Sequence, residues 1–249
     1  MTAVVGIYCQ DGIVIGSDSS ASFAHTQDIR TIEQRVKKVE VIADQVITAA
    51  TGPVGLNQRF VEIVRDYWTS KKGGGKTHLE IAKELCAAAY KDFASTQAQR
   101  GIYGALVAFP CSKSKRPQLC EFPITDFQPE FKNENMWFVS MGSGQLITDP
   151  FLGLMRRVFW GDSPPNLTDG IFAATWTLKH VIELNPGGIN GPPQIAVLDM
   201  HNRARILKDD ELQEHLSNAE GAEEHLRNYK IMQQGKGAQN LPIPPAAQQ

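Results

Sequence analysis

The chain has 249 residues, of which 42% are hydrophobic and 21% are charged, and its formal net charge at pH 7 is −2. This is the composition of an ordinary water-soluble globular protein, and a chain of this length buries a core without help from disulfides. The lack of a basic excess argues against nucleic acid as the main partner. No apolar run approaches membrane-spanning length, so we expect no membrane partner.

The 4 cysteines are scattered along the chain without C-x-x-C spacing. The first residues also lack the basic region and the cleavage site of a signal peptide. Both features are typical of a cytosolic protein with reduced thiols. We therefore expect a cytoplasmic protein without a metal site or another cofactor.

The predicted elements start with a β-hairpin, because Asp11-Gly12 is a strong turn signal between two apolar runs. A second hairpin and two amphipathic helices follow, and this arrangement then repeats. In chain order, the predicted elements are strands 4–8, 13–16, 36–42 and 46–50, helices 57–69 and 79–93, strands 104–109, 118–122 and 136–140, helices 146–159 and 168–184, and strands 195–198 and 204–207.

This order groups hairpins with hairpins and helices with helices, without strict β-α-β alternation. The pattern favours an α+β fold with antiparallel sheets, and the almost continuous apolar strands indicate that both faces of each sheet are covered. We therefore predict a four-layer αββα sandwich in a single domain over residues 2–232. A short helical stretch ends this domain, and the polar, proline-containing residues 233–249 are predicted to form a flexible tail.

Thr2 directly precedes the first predicted strand. Methionine aminopeptidases remove Met1 when a small residue such as threonine follows. Thr2 would then carry a hydroxyl nucleophile and a free α-amine that can act as its base. Anchoring on a buried strand would hold both groups in place, which a loose chain end could not do. Many proteins have threonine after Met1, so this feature alone is weak evidence for a catalytic threonine.

Two charged residues strengthen the hypothesis. Asp18 ends the second predicted strand, and Lys38 lies between valines near the start of the third. A partly buried lysine requires a carboxylate partner. The alternative interpretation is that Lys38 is a surface charge on an edge strand.

Five short stretches together resemble proteasome β-type subunits, most of all the bacterial HslV peptidases and the betaproteobacterial proteasome homologues. The resemblance covers roughly residues 2–208 in element order, and the first 50 residues carry most of it. The stretches are TAVVG at 2–6, GIVIGSD at 12–18, VKKV at 36–39, VITAATG at 46–52 and MGSG at 141–144.

This resemblance implies an N-terminal-nucleophile hydrolase with a four-layer sandwich. Thr2 falls on the nucleophile and Lys38 on the lysine that keeps the nucleophile's surroundings electropositive. Asp18 falls on the carboxylate that pairs with this lysine, and Ser143 on the serine near the α-amine. Ala49 falls on the residue whose backbone N–H forms the oxyanion hole, where the family usually has glycine.

By position, Val36, Ile47 and Thr51 are predicted to line the primary specificity pocket, with a modest apolar preference. The chain also departs from the family pattern. Residues 185–191 contain no clear counterpart of the aspartate and serine that support the site in true proteasomes. The loop between Asp18 and Lys38 is about four residues longer than in HslV-like chains and would border the substrate cleft.

The predicted function is therefore that of a threonine endopeptidase acting on unfolded proteins or peptides. The resemblance implies a homo-oligomeric double ring with six or seven subunits per ring, of which seven is favoured; an ATPase unfoldase partner stays unidentified. Two other functions remain open, namely a catalytically silent ring scaffold and a small-substrate amidase of the same fold.

Overall fold

A computed structural model describes residues 1–24, 30–98, 101–184 and 188–235. The strands are β1 (Val4–Cys9), β2 (Gly12–Ser17), β3 (Ser20–Ala24), β4 (Arg30–Arg35), β5 (Val39–Ile42), β6 (Val46–Thr51), β7 (Gly104–Phe109), β8 (Gln118–Phe122), β9 (Glu130–Phe131), β10 (Phe138–Met141), β11 (Gln194–Asp199) and β12 (Ala204–Ile206). The α-helices are α1 (Val54–Thr69), α2 (His78–Ser95), α3 (Gln145–Met155), α4 (Leu167–Leu184) and α5 (Asp209–Gly235).

The strands form two large antiparallel sheets and one small hairpin. The first sheet has the order β10-β1-β2-β11-β12, the second has the order β5-β6-β7-β8-β9, and β3 pairs with β4. The two large sheets stack face to face, with α1 and α2 on the outside of the second and α3 and α4 on the outside of the first. This arrangement confirms the predicted α+β class and the αββα sandwich.

The N-terminal hairpin lies in the centre of these layers. All residues of β1 and β2 are buried, as expected for strands that are covered on both faces. Gly6 faces Leu106 and Leu119 of the second sheet. Cys9 lies under α4, where a Cβ atom on Gly170 would come within 2.3 Å of the Cys9 sulfur. The start of the chain is thus held inside the molecule.

Several parts of the strand prediction need correction. The short strand β9 was not predicted, and the strand predicted over 136–140 is observed as Phe138–Met141. The strand predicted over 36–42 begins only at Val39, and residues 36–38 have no regular structure. The hairpin of β3 and β4 was not predicted, because its residues are largely polar and lack an apolar alternation. Residues 25–29, between these two strands, lie outside the described part of the chain.

The helical ends also differ from the prediction. The helix predicted over 146–159 is α-helical only as far as Met155, and Arg156–Trp160 form a π-helical turn. The last helix, α5, has 27 residues and ends at Gly235, so it includes the first three residues of the predicted tail. Residues 236–249 lie outside the described residues.

All 4 cysteines are buried and free of disulfides. In the described ranges, none of the helices combines the length and the apolar character needed to cross a bilayer. The same ranges contain no group of three or more His, Cys, Asp or Glu side chains arranged to hold a metal ion.

Candidate active site

Hydrogen bonds to both the N–H and the carbonyl of Thr2 hold this residue in place. Its carbonyl accepts a hydrogen bond from the N–H of Gly144 at 3.1 Å, and its N–H donates to Ser143 Oγ at 3.1 Å. Gly142 has a φ of +93°, and a Cβ atom there would come within 2.3 Å of the Thr2 carbonyl oxygen. The Met-Gly-Ser-Gly turn can therefore approach Thr2 only with glycine at position 142.

The end of β2 holds the next residue, Ala3. In the register of β1 and β2, Val4 is opposite Ser17, which places Asp18 beside Ala3. The Ala3 N–H donates to Asp18 Oδ1 at 3.0 Å, and Ser17 Oγ donates to the Ala3 carbonyl at 2.9 Å. The position of Thr2 is thus set by the pairing of two fully buried strands.

Asp18 and Lys38 form an ion pair next to Thr2. Lys38 Nζ lies 2.8 and 2.9 Å from the two carboxylate oxygens, and the relative exposures are 0% for Asp18 and 9% for Lys38. The same ammonium lies 3.3 Å from Thr2 Oγ1 and 3.2 Å from the Met1 carbonyl oxygen. The interpretation of Lys38 as a surface charge is therefore wrong, and a buried cation contacts the threonine hydroxyl.

Burial also changes the acidity of this lysine. Removal from water disfavours the charged form and lowers the pKa of Lys38 below its usual value, while the attraction and hydrogen bonds of Asp18 oppose this shift. A lysine with a lowered pKa both presents positive charge to the Thr2 hydroxyl and exchanges its proton more readily than an exposed lysine. These are the properties expected of a group that assists a hydroxyl nucleophile.

A side chain that the sequence analysis missed holds the backbone at Lys38. Gln194 Oε1, at the start of β11, accepts from the N–H of Lys38 at 2.8 Å and of Val39 at 3.2 Å. Gln194 Nε2 donates to the Val36 carbonyl at 2.7 Å. No sequence signal could link these residues, because the contact joins positions 156 apart.

A cavity of about 120 Å³ opens beside Thr2. Its wall includes Val36, Lys38, Ala50 and Gly52, so of the three predicted pocket residues only Val36 lines it. Its other lining residues are Met1, Ser20, Ala21, Lys37, Val54 and Asn57.

The pocket predictions for Ile47 and Thr51 on β6 need correction. Ile47 and Ala49 are buried in the core between the sheets, and Thr51 lies on the same face of the strand. Because side chains alternate along a strand, the residues that reach the cavity are instead Ala50 and, just beyond the strand, Gly52. Gly52, unlike Ala49, thus lines the same cavity as Thr2.

The opposite side of Thr2 is more open. Ser143 is exposed, and beneath its turn a polar network braces the start of α3. Thr148 Oγ1 donates to Ser140 Oγ at 2.7 Å, and Ser140 in turn donates to the carboxylate of Asp149. Of the stretch that departs from the family pattern, residues 185–187 lie outside the described part of the chain, while the Asn190 carbonyl accepts from the Ser19 N–H at 3.1 Å.

Two stacked antiparallel sheets between helix pairs are the architecture of N-terminal-nucleophile hydrolases. A family model described as proteasome subunit matches residues 2–153, which is more than half of the chain. The chain therefore belongs to the proteasome subunit family.

Among solved structures, a similar one is the Gly-1 mutant of Anbu from Hyphomicrobium sp. strain MC1. The TM-score is 0.71 at 11% sequence identity, and the match covers 98% of this chain and 100% of that chain. At this identity the likeness concerns the fold alone. No curated protein matches the chain.

Proposed function

We propose that the protein is a threonine peptidase that hydrolyses peptide bonds with Thr2 as its nucleophile after removal of Met1. The observation that carries the proposal is the contact of the buried Lys38 ammonium, at 3.3 Å, with the Thr2 hydroxyl. Membership of the proteasome subunit family supports hydrolysis of peptide bonds as the reaction.

In the proposed reaction, Thr2 Oγ1 attacks the scissile carbonyl carbon while its proton passes to the α-amine, directly or through a water. Lys38 and Asp18 set the charge around the hydroxyl, and Ser143 orients the amine through the hydrogen bond that it already makes to the Thr2 nitrogen. The tetrahedral intermediate collapses to an ester as the amine product leaves. A water molecule then hydrolyses the ester and restores Thr2.

The oxyanion of this intermediate requires a backbone donor close to Thr2. We assign this role to the N–H of Gly52, because Gly52 lines the cavity beside Thr2 and Ala49 does not. The apolar part of the cavity wall, formed by Ala21, Val36 and Val54, favours small apolar side chains in the substrate.

By family membership we propose that the subunits form a homo-oligomeric double ring with Thr2 facing an inner chamber and with seven subunits per ring favoured over six. The substrates are then unfolded proteins or peptides in the cytoplasm. A catalytically silent scaffold and a small-substrate amidase are the competing functions, and the experiment below separates them.

A peptide α′,β′-epoxyketone tests the proposal, because the Thr2 hydroxyl adds to its ketone and the α-amine opens its epoxide. After intact mass has shown the loss of Met1, we expect irreversible labelling that maps to Thr2. Thr2→Ser should retain the label and Thr2→Ala should lose it, whereas Thr77→Ala, at a distant helix cap, should label like the wild type.

The competing functions give different results. Wild-type protein that lacks Met1 and stays unlabelled is the result expected of a silent scaffold. Labelled protein that remains a single subunit in size-exclusion chromatography and cleaves only small amides would establish the amidase. Activity in protein that retains Met1 would contradict the mechanism, because an acylated nitrogen has no basic lone pair.

A further inference from the structure

The segment that carries Lys38 lacks the hydrogen bonds of a strand. Residues 36–38 precede β5 and have no regular structure, and the Val36 N–H bonds to the Ser19 carbonyl at 2.9 Å. An irregular segment would not by itself hold an ammonium at a fixed distance from a nucleophile. Something else must set the position of the Lys38 backbone.

The amide of Gln194 makes three hydrogen bonds to this segment. Oε1 accepts from Lys38 at 2.8 Å and from Val39 at 3.2 Å, and Nε2 donates to the Val36 carbonyl at 2.7 Å. A single planar group thus fixes the peptide units on both sides of Lys38. It also fixes Val36, which lines the cavity.

Gln194 is itself placed by the first sheet. In the register of β2 and β11, Gln194 lies opposite Ser17, whose hydroxyl holds the Ala3 carbonyl at 2.9 Å. Two neighbouring residues at the same end of one sheet therefore hold the two halves of the site. Ser17 holds the backbone next to Thr2, and Gln194 holds the backbone of Lys38.

We propose that Gln194 is a positioning residue that sets the distance between the Lys38 ammonium and the Thr2 hydroxyl, and through Val36 the shape of the substrate cavity. The inference rests on the proposed peptidase function. Among the described residues Gln194 makes no hydrogen bond to Thr2, so its effect on the attack passes through Lys38 and its effect on substrate binding passes through Val36. Loss of the three Gln194 hydrogen bonds should slow the attack of Thr2 more than it weakens the binding of a substrate.

The test measures labelling of Thr2 by the peptide epoxyketone, with the maximal rate constant and the half-saturating concentration determined separately over a range of pH. Gln194→Met keeps the size of the side chain and removes all three hydrogen bonds. We expect the maximal rate constant to fall roughly tenfold or more, because small displacements of a reacting group have large kinetic effects. We expect the half-saturating concentration to change less.

The pH profile provides a readout that a purely structural role would not change. The charged groups that act on Lys38 are Asp18, in direct contact, and Glu33 of β4. If the Gln194 hydrogen bonds set the position of Lys38 relative to these groups, Gln194→Met should change the pH at which the labelling rate is half-maximal. Gln194→Glu keeps the acceptor for Lys38 and Val39, so it should recover a substantial part of the rate.

Gln118 provides a matched control. It is half-buried like Gln194, and its Nε2 holds a loop by donating to the carbonyls of Arg116 at 2.9 Å and Pro117 at 3.2 Å. Gln118→Met should lower the melting temperature about as much as Gln194→Met but leave the labelling rate and its pH profile unchanged. If Gln194→Met does not fold, Gln194→Asn, which is too short to span the segment, takes its place.

The inference is overturned if a folded Gln194→Met or Gln194→Asn variant labels at the wild-type rate with the wild-type pH profile. It is equally overturned if Gln194→Glu is no faster than Gln194→Met. The failure of the proposed function looks different, because in that case the wild-type protein without Met1 is not labelled at all.

Discussion

The two sides of Thr2 are built in different ways. On one side, Asp18 and Lys38 are buried and joined by two short contacts. Gln194 holds the backbone of Lys38, directly before β5. On the other side, Ser143 is exposed and contacts Thr2 through a single hydrogen bond at 3.1 Å. The side formed by Asp18 and Lys38 is therefore anchored in the buried core, whereas the side formed by Ser143 belongs to a surface turn.

This difference separates the two contributions to the proposed chemistry. Changes on the buried side remove a charge from a place where water cannot replace it, so they affect stability and activity together. Changes on the exposed side leave room for water to substitute for a lost hydroxyl. The predictions below test this contrast, in order of decreasing effect.

The largest effect is expected for Asp18→Asn. This change leaves the buried Lys38 ammonium without its counter-charge, and removal of one partner of a buried ion pair typically costs about 3 to 5 kcal/mol. The free energy of unfolding from urea titration should fall by about this much, and labelling of Thr2 should be lost.

The control for this change is Glu121→Gln, at the other buried lysine of the described residues. Lys132 contacts both Glu121 and Glu130, so it keeps one carboxylate when Glu121 is neutralised. Its loss of stability should be clearly smaller and its labelling normal. Equal losses of stability and of labelling in both variants would contradict a distinct role for the Asp18–Lys38 pair.

Lys38→Ala should abolish turnover while the subunits still assemble. Loss of one electrostatic contact of this kind costs roughly 10²-fold or more in rate. The Asp18 carboxylate keeps the N–H groups of Ala3 and Ser20 at 3.0 and 3.2 Å, so the fold should survive. Peptide hydrolysis and size-exclusion chromatography check both parts.

Lys132→Ala serves as the comparison, because it removes a lysine that is buried to the same degree but lies away from Thr2. This variant should lose stability and keep its catalytic rate per folded molecule. If Lys38→Ala also turns over normally, Lys38 has no role in the reaction.

Ser143→Ala should have a moderate effect. The Thr2 nitrogen loses one hydrogen bond at an exposed position, where a water can take the place of the hydroxyl. We expect the labelling rate to fall roughly tenfold, which corresponds to about 1.4 kcal/mol, with little change in melting temperature. A loss as large as that of Lys38→Ala would remove the contrast between the two sides.

The smallest effect on stability is expected for an exposed ion pair. Arg205 and Glu211 join β12 to α5 at 2.7 Å, and hydrogen bonds from Arg205 lower the pKa of Glu211 to about 2. Because the folded-state pKa is depressed, the contribution is complete above the unfolded value of about 4.3 and is lost as the pH falls towards 2.

Glu211→Gln should therefore lower the free energy of unfolding by only about 0.5 kcal/mol near pH 7, because exposed pairs are screened by water. The difference from the wild type should vanish as the pH approaches 2. Glu220→Gln, which removes an exposed carboxylate from the same helix, is the control for the change of charge. Urea titrations at both pH values would measure these differences.

Much of the fold was predictable because the signals are local. The strands Gly104–Phe109 and Gln118–Phe122 have the predicted bounds, since each is an apolar run beside a turn. The arrangement of elements was sufficient to predict the four layers. Helix α5 was underestimated because its sequence is strongly polar and much of its length is exposed.

The details of the site depend on contacts that are distant in sequence. The meeting of Thr2, Asp18 and Lys38 was predictable only through a family resemblance, and the contribution of Gln194 was not predictable at all. The two pocket residues predicted on β6, Ile47 and Thr51, were wrong for a simple reason. The sequence of this strand is largely apolar on both faces, so its pattern does not show which residues face the core and which face the cavity.

The close packing of Cys9 under α4 makes this thiol a natural reporter of opening. Burial raises the pKa of the Cys9 thiol far above its usual value, and a Cβ on Gly170 would already touch the sulfur at 2.3 Å. A reagent in solvent can reach the sulfur only when the helix separates from the sheet. The rate at which Cys9 is modified under native conditions is therefore a direct measure of how often α4 separates from the sheet that contains the N-terminal strand.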